Sequence, residues 1–263
     1  ADVSALTDGV LQESQKRVKL SDITVADVSP GSSPVVVEAS YKLGEDVVKE
    51  IYQVDVKIGK LKDPLSKLYL FSGSDVEKKI NGATVSAGVT ELLLFPGSYE
   101  ITTASDYLQF KGGVKFIVKH RSDTPDINLQ LEISQKGVDM FREKVVPVAR
   151  ACVDSKNLDP GCGMVVDAKT KDGSTLTDGT VVRTLSDSSR KQLEEVVPRI
   201  DYAAPTIIES RDFGYFTLKA DCTTSGGVAG TCTPTDYDAK GLSWPYARID
   251  VTDPELNVKW EYK

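Results

Sequence analysis

Between Leu92 and Val118 the chain reads LLLFPGSYEITTASDYLQFKGGVKFIV, and its apolar positions set out three strands. Leu92 to Phe95 form a short apolar run that ends at Pro96-Gly97. Tyr99, Ile101 and Thr103 then alternate with Glu100 and Thr102, and beyond Gly112-Gly113 the residues Val114, Phe116 and Val118 alternate with Lys115, Ile117 and Lys119. A period of two is the mark of a half-buried strand. Proline presets φ at the first central position of a turn and glycine takes the left-handed second position, so Phe95-Pro96-Gly97-Ser98 predicts a type II turn between paired strands. Upstream, Asn81-Gly82 predicts a two-residue hairpin.

The same alternation predicts strands over 19–28, 35–41, 50–57 and 67–71, with loops at Ser29–Pro34 and Leu61–Leu65. Residues 1–18 carry only a weak helical stripe (Leu6, Val10, Leu11) interrupted by Gly9, and read as a leader or stalk. Residues 19–126 therefore form a β-rich, sandwich-like domain. After the polar Arg121–Asp126 segment the period changes. Ser134 is an N-cap candidate, and Val138, Phe141, Val145, Val148, Ala149 and Cys152 recur at helical spacing, with a kink expected at Pro147. A β region is expected from Met164 to Val166, then turns at Asp172-Gly173 and Asp178-Gly179 and a short helix within 186–197. Further strands follow at 199–202, 206–209, 214–220, 244–251 and 258–262. Residues 127–263 thus predict an α+β domain, a helix on an antiparallel sheet in the layout of cystatin-like or NTF2-like domains. The fold class is mainly β plus α+β.

Four cysteines sharpen this picture. Cys152 and Cys162 lie ten residues apart, as do Cys222 and Cys232. Three pairings are open, and the two local ones are the most economical, each closing a short loop for about 2.5–3 kcal/mol. Neither zinc-ligand nor redox Cys-x-x-Cys spacing is present. Disulfides place the chain in an oxidising compartment, secreted or on the outer face of a cell membrane. A net charge of −7 argues against nucleic acid and against an anionic membrane surface as partners. No stretch of eighteen apolar residues is present, so membrane attachment is expected only through an anchor absent from this chain, trimmed from the polar leader.

Candidate chemistry is sparse. His120, the single histidine, stands at the end of a strand, with no Gly-x-Ser-x-Gly elbow to serve. Asp167, Asp172 and Asp178 do not follow a calcium-loop pattern and read as turn carboxylates. Gly112-Gly113 and Gly226-Gly227 form no phosphate loop, and Lys60, Lys62 and Lys67 read as a solvated loop. No catalytic residue, cofactor or metal is expected. Trp244, Tyr246 and Trp260 are the exception, since aromatic side chains exposed on a sheet can stack on sugars.

The Asn81-Gly82 … Phe95-Pro96-Gly97-Ser98-Tyr99 arrangement, and a helix ending in Cys152 followed by Leu158-Asp159-Pro160-Gly161-Cys162, resemble the extracellular parts of uncharacterised actinobacterial membrane proteins. Those carry a cytoplasmic zinc-ribbon or low-complexity region, one span and then such an ectodomain. The order is similar to the ectodomain of TcaA-like envelope proteins, associated with cell-wall stress and glycopeptide response. The resemblance covers residues 65–165 in short motifs and departs at Gly163, where proline often follows the second cysteine. It implies no enzyme activity and transfers no binding residues. The expectation is a non-enzymatic extracytoplasmic domain of a cell-envelope protein that binds, senses or assembles with an unknown protein or a cell-wall ligand. A carbohydrate-binding module is the alternative, and a wall hydrolase with paired carboxylates a further one.

Overall fold

The structure, a computed structural model, describes residues 2–27, 34–55, 60–61, 65–70, 75–234 and 243–262. Most of the loops expected at Ser29–Pro34 and Leu61–Leu65, and the ends of the strands expected at 19–28, 50–57 and 67–71, lie outside the described residues, as does Lys62. The chain divides into two compact units, Ala1–Glu132 and Ile133–Lys263. The first is almost wholly antiparallel strands and the second mixes helices with antiparallel sheets, so the molecule is mainly β plus α+β.

The first unit begins with a helix, α1 (Asp8–Arg17). Thr7 caps it, Asp8 stands in its first turn and Lys16 and Arg17 in its last, each complementing the helix dipole. Its sequence stripe is weak because the buried face is narrow: Val10 and Ser14 are buried, and so is Ala5 just before it. Residues 2–18 are therefore integral to the unit and not a stalk. They are followed by β1 (Leu20–Asp27), β2 (Val35–Leu43), β3 (Asp46–Asp55) and β4 (Lys60–Leu61), one antiparallel sheet in that order. Next come β5 (Ser66–Tyr69), β6 (Lys78–Ile80), β7 (Ala83–Val85), β8 (Glu91–Leu94), β9 (Gly97–Thr103), β10 (Leu108–Phe110), β11 (Val114–Val118) and β12 (Leu131–Ile133).

Asn81-Gly82 makes the β6–β7 turn as expected, both residues at positive φ (46° and 86°), the requirement of a type I′ hairpin. The Pro96-Gly97 expectation fails. β8 pairs with β5 (Leu92 opposite Leu68), whereas β9 pairs with β11 (Gly97 opposite Val118) and β6, so Pro96 carries the chain from one sheet into another. Gly97 lies outside the left-handed region and is already the first strand residue. It is a glycine for a non-local reason: a Cβ there would lie 2.5 Å from Ser14 Oγ of α1. Tyr99, fully buried, spans the corner by donating its hydroxyl to the Phe95 carbonyl at 2.7 Å and stacks on Phe116.

The second unit opens with α2 (Gln135–Asp154), capped by Ser134, whose Oγ accepts from Gly137 N at 3.1 Å. The helix runs through Pro147. It buries Met140, Phe141, Val145, Val146, Ala149 and Cys152, while Val148 faces outward. Then follow β13 (Thr175–Leu176), β14 (Val182–Leu185), α3 (Asp187–Glu194), β15 (Arg199–Asp201), β16 (Ala204–Ser210), β17 (Phe216–Thr223), β18 (Ala229–Cys232), β19 (Tyr246–Asp250) and β20 (Lys259–Glu261). One sheet has the order β13-β17-β14 with β18 on β17, and the other β15-β16-β19-β20. Val166, Leu176, Val181, Leu218, Ala220 and Cys222 share one core cluster. Met164 to Val166 is not strand. It is coil in which Met164 and Val166 are buried and Val165 is exposed, tied by Val166 N to the Leu158 carbonyl at 3.0 Å.

Both local disulfides form, Cys152–Cys162 with Cα atoms 6.3 Å apart and Cys222–Cys232 at 5.8 Å. The second ties β17 to β18; the first ties the last turn of α2 to the loop beyond it. Disulfide bonds of this kind belong to a chain that folds in an oxidising environment. Among the described residues, no helix is long and apolar enough to cross a membrane.

Candidate functional site: an aromatic cleft in the second unit

The segment Arg211-Asp212-Phe213-Gly214-Tyr215-Phe216 leads into β17 and builds the site. Gly214 has a φ of 82°, and a Cβ on it would lie 2.6 Å from Ser189 Cβ and 2.7 Å from Ser189 Cα. Only glycine fits there, so the segment presses directly against α3. Ser189 Oγ accepts from Tyr215 N at 3.1 Å, and Ser186, the cap of α3, accepts from Ser189 N at 3.1 Å. Held this way, neighbouring aromatics point in opposite directions. Phe213 is fully buried, whereas Tyr215 is 89% exposed.

Phe213 gathers the two tryptophans, with ring centroids 5.1 Å from Trp244 and 5.8 Å from Trp260. Phe216 meets Trp244 edge-on at 5.7 Å. The loop of the first disulfide backs this cluster. Gly163, at a φ of 80°, sits so close to Pro245 and Trp260 that an added Cβ would be 3.3 Å from each. Above the rings opens a cleft of about 450 Å³ with Phe216 and Trp244 beneath and Arg211, Asp212, Tyr215 and Ser243 around it. Gln192 of α3 donates to the Asp212 carboxylate.

Beside the cleft, the Arg211 guanidinium lies 5.1 Å from the centre of the Tyr246 ring and that of Arg199 lies 5.7 Å from it, in cation–π range. Among the described residues, Arg211 has no carboxylate partner, whereas Arg199 reaches Glu209 at 3.3 Å. Glu209 belongs to a transverse row in which Arg199, Glu209, Arg248 and Lys259 stand opposite one another on β15, β16, β19 and β20. Glu209 is thus flanked by Arg199 and Arg248, a favourable opposition of unlike charges, whereas Arg248 faces the like-charged Lys259. Arg248 donates to Glu209 at 3.1 Å, to Asp201 at 2.5 Å and to Glu261 at 2.8 Å. The hydrogen bond to Glu261, ahead of that to Asp201, holds the Arg248 pKa above its ordinary value. Asp201 and Glu209 are buried; Arg248 pairs with both, and Arg199 brings a second positive charge to Glu209.

The three aromatic candidates therefore have separate roles. Trp244 is not an exposed stacking platform: only 6% of it is accessible, because Phe213 and Phe216 cover it. Trp260 is half-buried behind Phe213, and Tyr246 is half-buried beneath arginines. Tyr215 is the exposed ring at the cleft, and reading for tryptophan-containing runs misses it. The signal was the run of three aromatics around a glycine in Asp212–Phe216.

The other candidates are structural. His120 Nδ1 lies 3.0 Å from Glu50 Oε1, and Glu50 also accepts from Arg121 N at 3.1 Å. Asp123 Oδ2 accepts from Lys119 N and His120 N at 2.7 and 2.8 Å. Ser66 Oγ donates to the carbonyls of Asp123 and His120, so its proton serves the backbone and not the imidazole. With Tyr41 Oη on the Lys119 carbonyl at 2.6 Å, these bonds fasten the β2–β3 hairpin to the end of β11. Asp172 closes a turn by accepting from Thr170 Oγ1 and Ser174 N, and Asp178 accepts from Leu158 N. Asp167 is exposed, and among the described residues no group of three metal-ligating side chains converges. Lys67 pairs with Glu91 at 2.9 Å. The side chain of Lys60 lies outside the described residues. Compared with family models, curated proteins and solved structures, the chain matches none.

Proposed function

We propose that this chain is a non-enzymatic, extracytoplasmic binding domain of a cell-envelope protein, and that its second unit binds an envelope saccharide at the Tyr215–Trp244 cleft. One observation carries the reading: a tyrosine ring 89% exposed stands at the edge of a cleft that also presents Arg211, Asp212 and Ser243. A sugar ring offers an apolar C–H face and a set of directional hydroxyls. A site that combines aromatic surface with a few convergent polar groups suits both. The two disulfides support an oxidising location, and the resemblance of short motifs to single-span envelope proteins leads us to place it on the outer face of a membrane. Asp201 and Glu209, the buried carboxylates nearby in the fold, are committed to Arg248, which favours binding over acid–base hydrolysis.

The test is co-sedimentation of the oxidised protein with peptide-stripped actinobacterial cell-wall glycan at low and high salt. The wild type is expected to pellet at both, and Tyr215→Ala to remain in the supernatant with an unchanged melting temperature. Pelleting of Tyr215→Ala equal to wild type, or no pelleting of either, would overturn the proposal.

A further inference from the structure

A second depression of about 330 Å³ adjoins the first. It lies along α3 and is lined by Lys191, Gln192, Glu195, Val196 and Val197, and it shares Asp212 with the Trp244 cleft. The shared residue is held in place, since Gln192 of α3 donates to its carboxylate. The second depression is lined differently from the first: its apolar surface is aliphatic, from Val196 and Val197, where the first has Tyr215, Phe216 and Trp244. Val197 is 69% exposed above a buried Val196, and polar side chains of α3 line the opposite side. Each depression alone is at the small end for a ligand site, whose usual range begins near 300 Å³. Two such depressions meeting at a single hydrogen-bonded carboxylate make a path for a ligand longer than either.

Resting on the saccharide reading above, we infer that the ligand is an extended glycan chain which crosses Asp212 and occupies both depressions. Asp212 accepts hydroxyl hydrogen bonds at the crossing. The Tyr215 end takes one stretch of sugar rings, and the Val197 end takes the next. Joining two weak subsites through one chain raises affinity without any further contact, because the second binding event becomes intramolecular.

The experiment is calorimetric titration with size-fractionated oligosaccharides from the same wall glycan, from disaccharide upward, into wild type, Val197→Asp and Tyr215→Ala. Affinity is expected to rise by about tenfold or more from the shortest fragment to one that spans both depressions. Val197→Asp, at an exposed position, is expected to remove that gain while leaving disaccharide binding as in wild type, and circular dichroism checks that its fold is intact. Equal affinity at every length, or a length gain that survives Val197→Asp, would overturn the inference and leave the cleft reading standing. Loss of no affinity in Tyr215→Ala, or no binding of any fragment, would overturn both.

Discussion

Ser14 and Gly97 are fitted to one another across eighty residues of sequence. Ser14 Oγ accepts from Ser98 N at 2.7 Å and occupies the space in which a Gly97 Cβ would stand, 2.5 Å away. This contact fastens α1 to β9, the strand that follows the corner at Pro96. Gly97→Ala is expected to destabilise the protein by about 1–3 kcal/mol through overpacking. In the Ser14→Ala background most of that clash is gone, because the nearest remaining Ser14 atom, Cβ, would be 3.5 Å away. The two substitutions should therefore be non-additive, the double variant losing less than the sum of the singles in urea melts.

Asn81 serves the turn and the helix together. Its Nδ2 donates to the carbonyls of Val10 and Ser98 at 3.1 and 3.0 Å, and its Oδ1 accepts from Arg17 at 2.7 Å and Glu100 N at 2.9 Å. Asn81→Gly keeps the positive φ but leaves buried carbonyls unpaired, for a loss of about 2 kcal/mol in thermal or urea unfolding. A variant lacking residues 1–18 should lose considerably more, with the cooperative unfolding of the first unit weakened in calorimetry.

These residues show where sequence reading succeeds and where it stops. Asn81-Gly82 was legible because the need for positive φ is a local one, met by two adjacent residues. Ser134 was legible as a cap because the backbone N–H it accepts, that of Gly137, lies only three residues on. Gly97 misled because Pro-Gly is also the dipeptide of an ordinary turn, and the atom that excludes a Cβ belongs to Ser14. Residues 1–18 look like a stalk in sequence because α1 buries a narrow stripe, Val10 and Ser14, and one of those is polar. In the candidate site, Trp244, Tyr246 and Trp260 marked the right sheet region, but burial of Trp244 depends on Phe213 and Phe216, which only the fold brings to it.

Lys78 presents a buried cost. Only 1% of it is exposed, no described residue bonds to its Nζ, and burial holds its pKa below the ordinary lysine value despite attraction from Asp75. Between the depressed folded value and the ordinary unfolded one, the unfolded chain holds more protons, so stability should rise with pH through that window. Lys78→Met is expected to stabilise by about 1 kcal/mol or more near neutral pH and to flatten that alkaline rise. A melting temperature below wild type would contradict this.

Acid acts in the same sense on the turn carboxylates, in a lower pH window. Hydrogen bonds from Thr170 and then Ser174 hold the Asp172 pKa below its usual value, and those from Glu255 N and then Asn257 do the same for Asp253. A depressed folded pKa contributes stability that is present above the unfolded value and is lost as pH falls through the folded one. Melting temperature should therefore drop below about pH 4, and Asp172→Asn with Asp253→Asn should make that drop shallower.

The first disulfide links stability to the cleft. Replacing Cys152 and Cys162 by serine is expected to cost about 2.5–3 kcal/mol. Because Gly163 packs on Pro245 and Trp260, the same variant should also bind glycan more weakly. Loss of Cys222–Cys232, which staples β17 to β18, should lower stability by a similar amount while affecting binding less.

The most direct test of the cleft as the binding site is amide and indole chemical-shift mapping on the ¹⁵N-labelled oxidised protein during titration with soluble wall-glycan fragments. The account predicts that shifts concentrate on Arg211 to Phe216, Ser243 and the Trp244 indole, with smaller changes at Trp260. Shifts confined to the first unit, or none at saturating glycan, would contradict it.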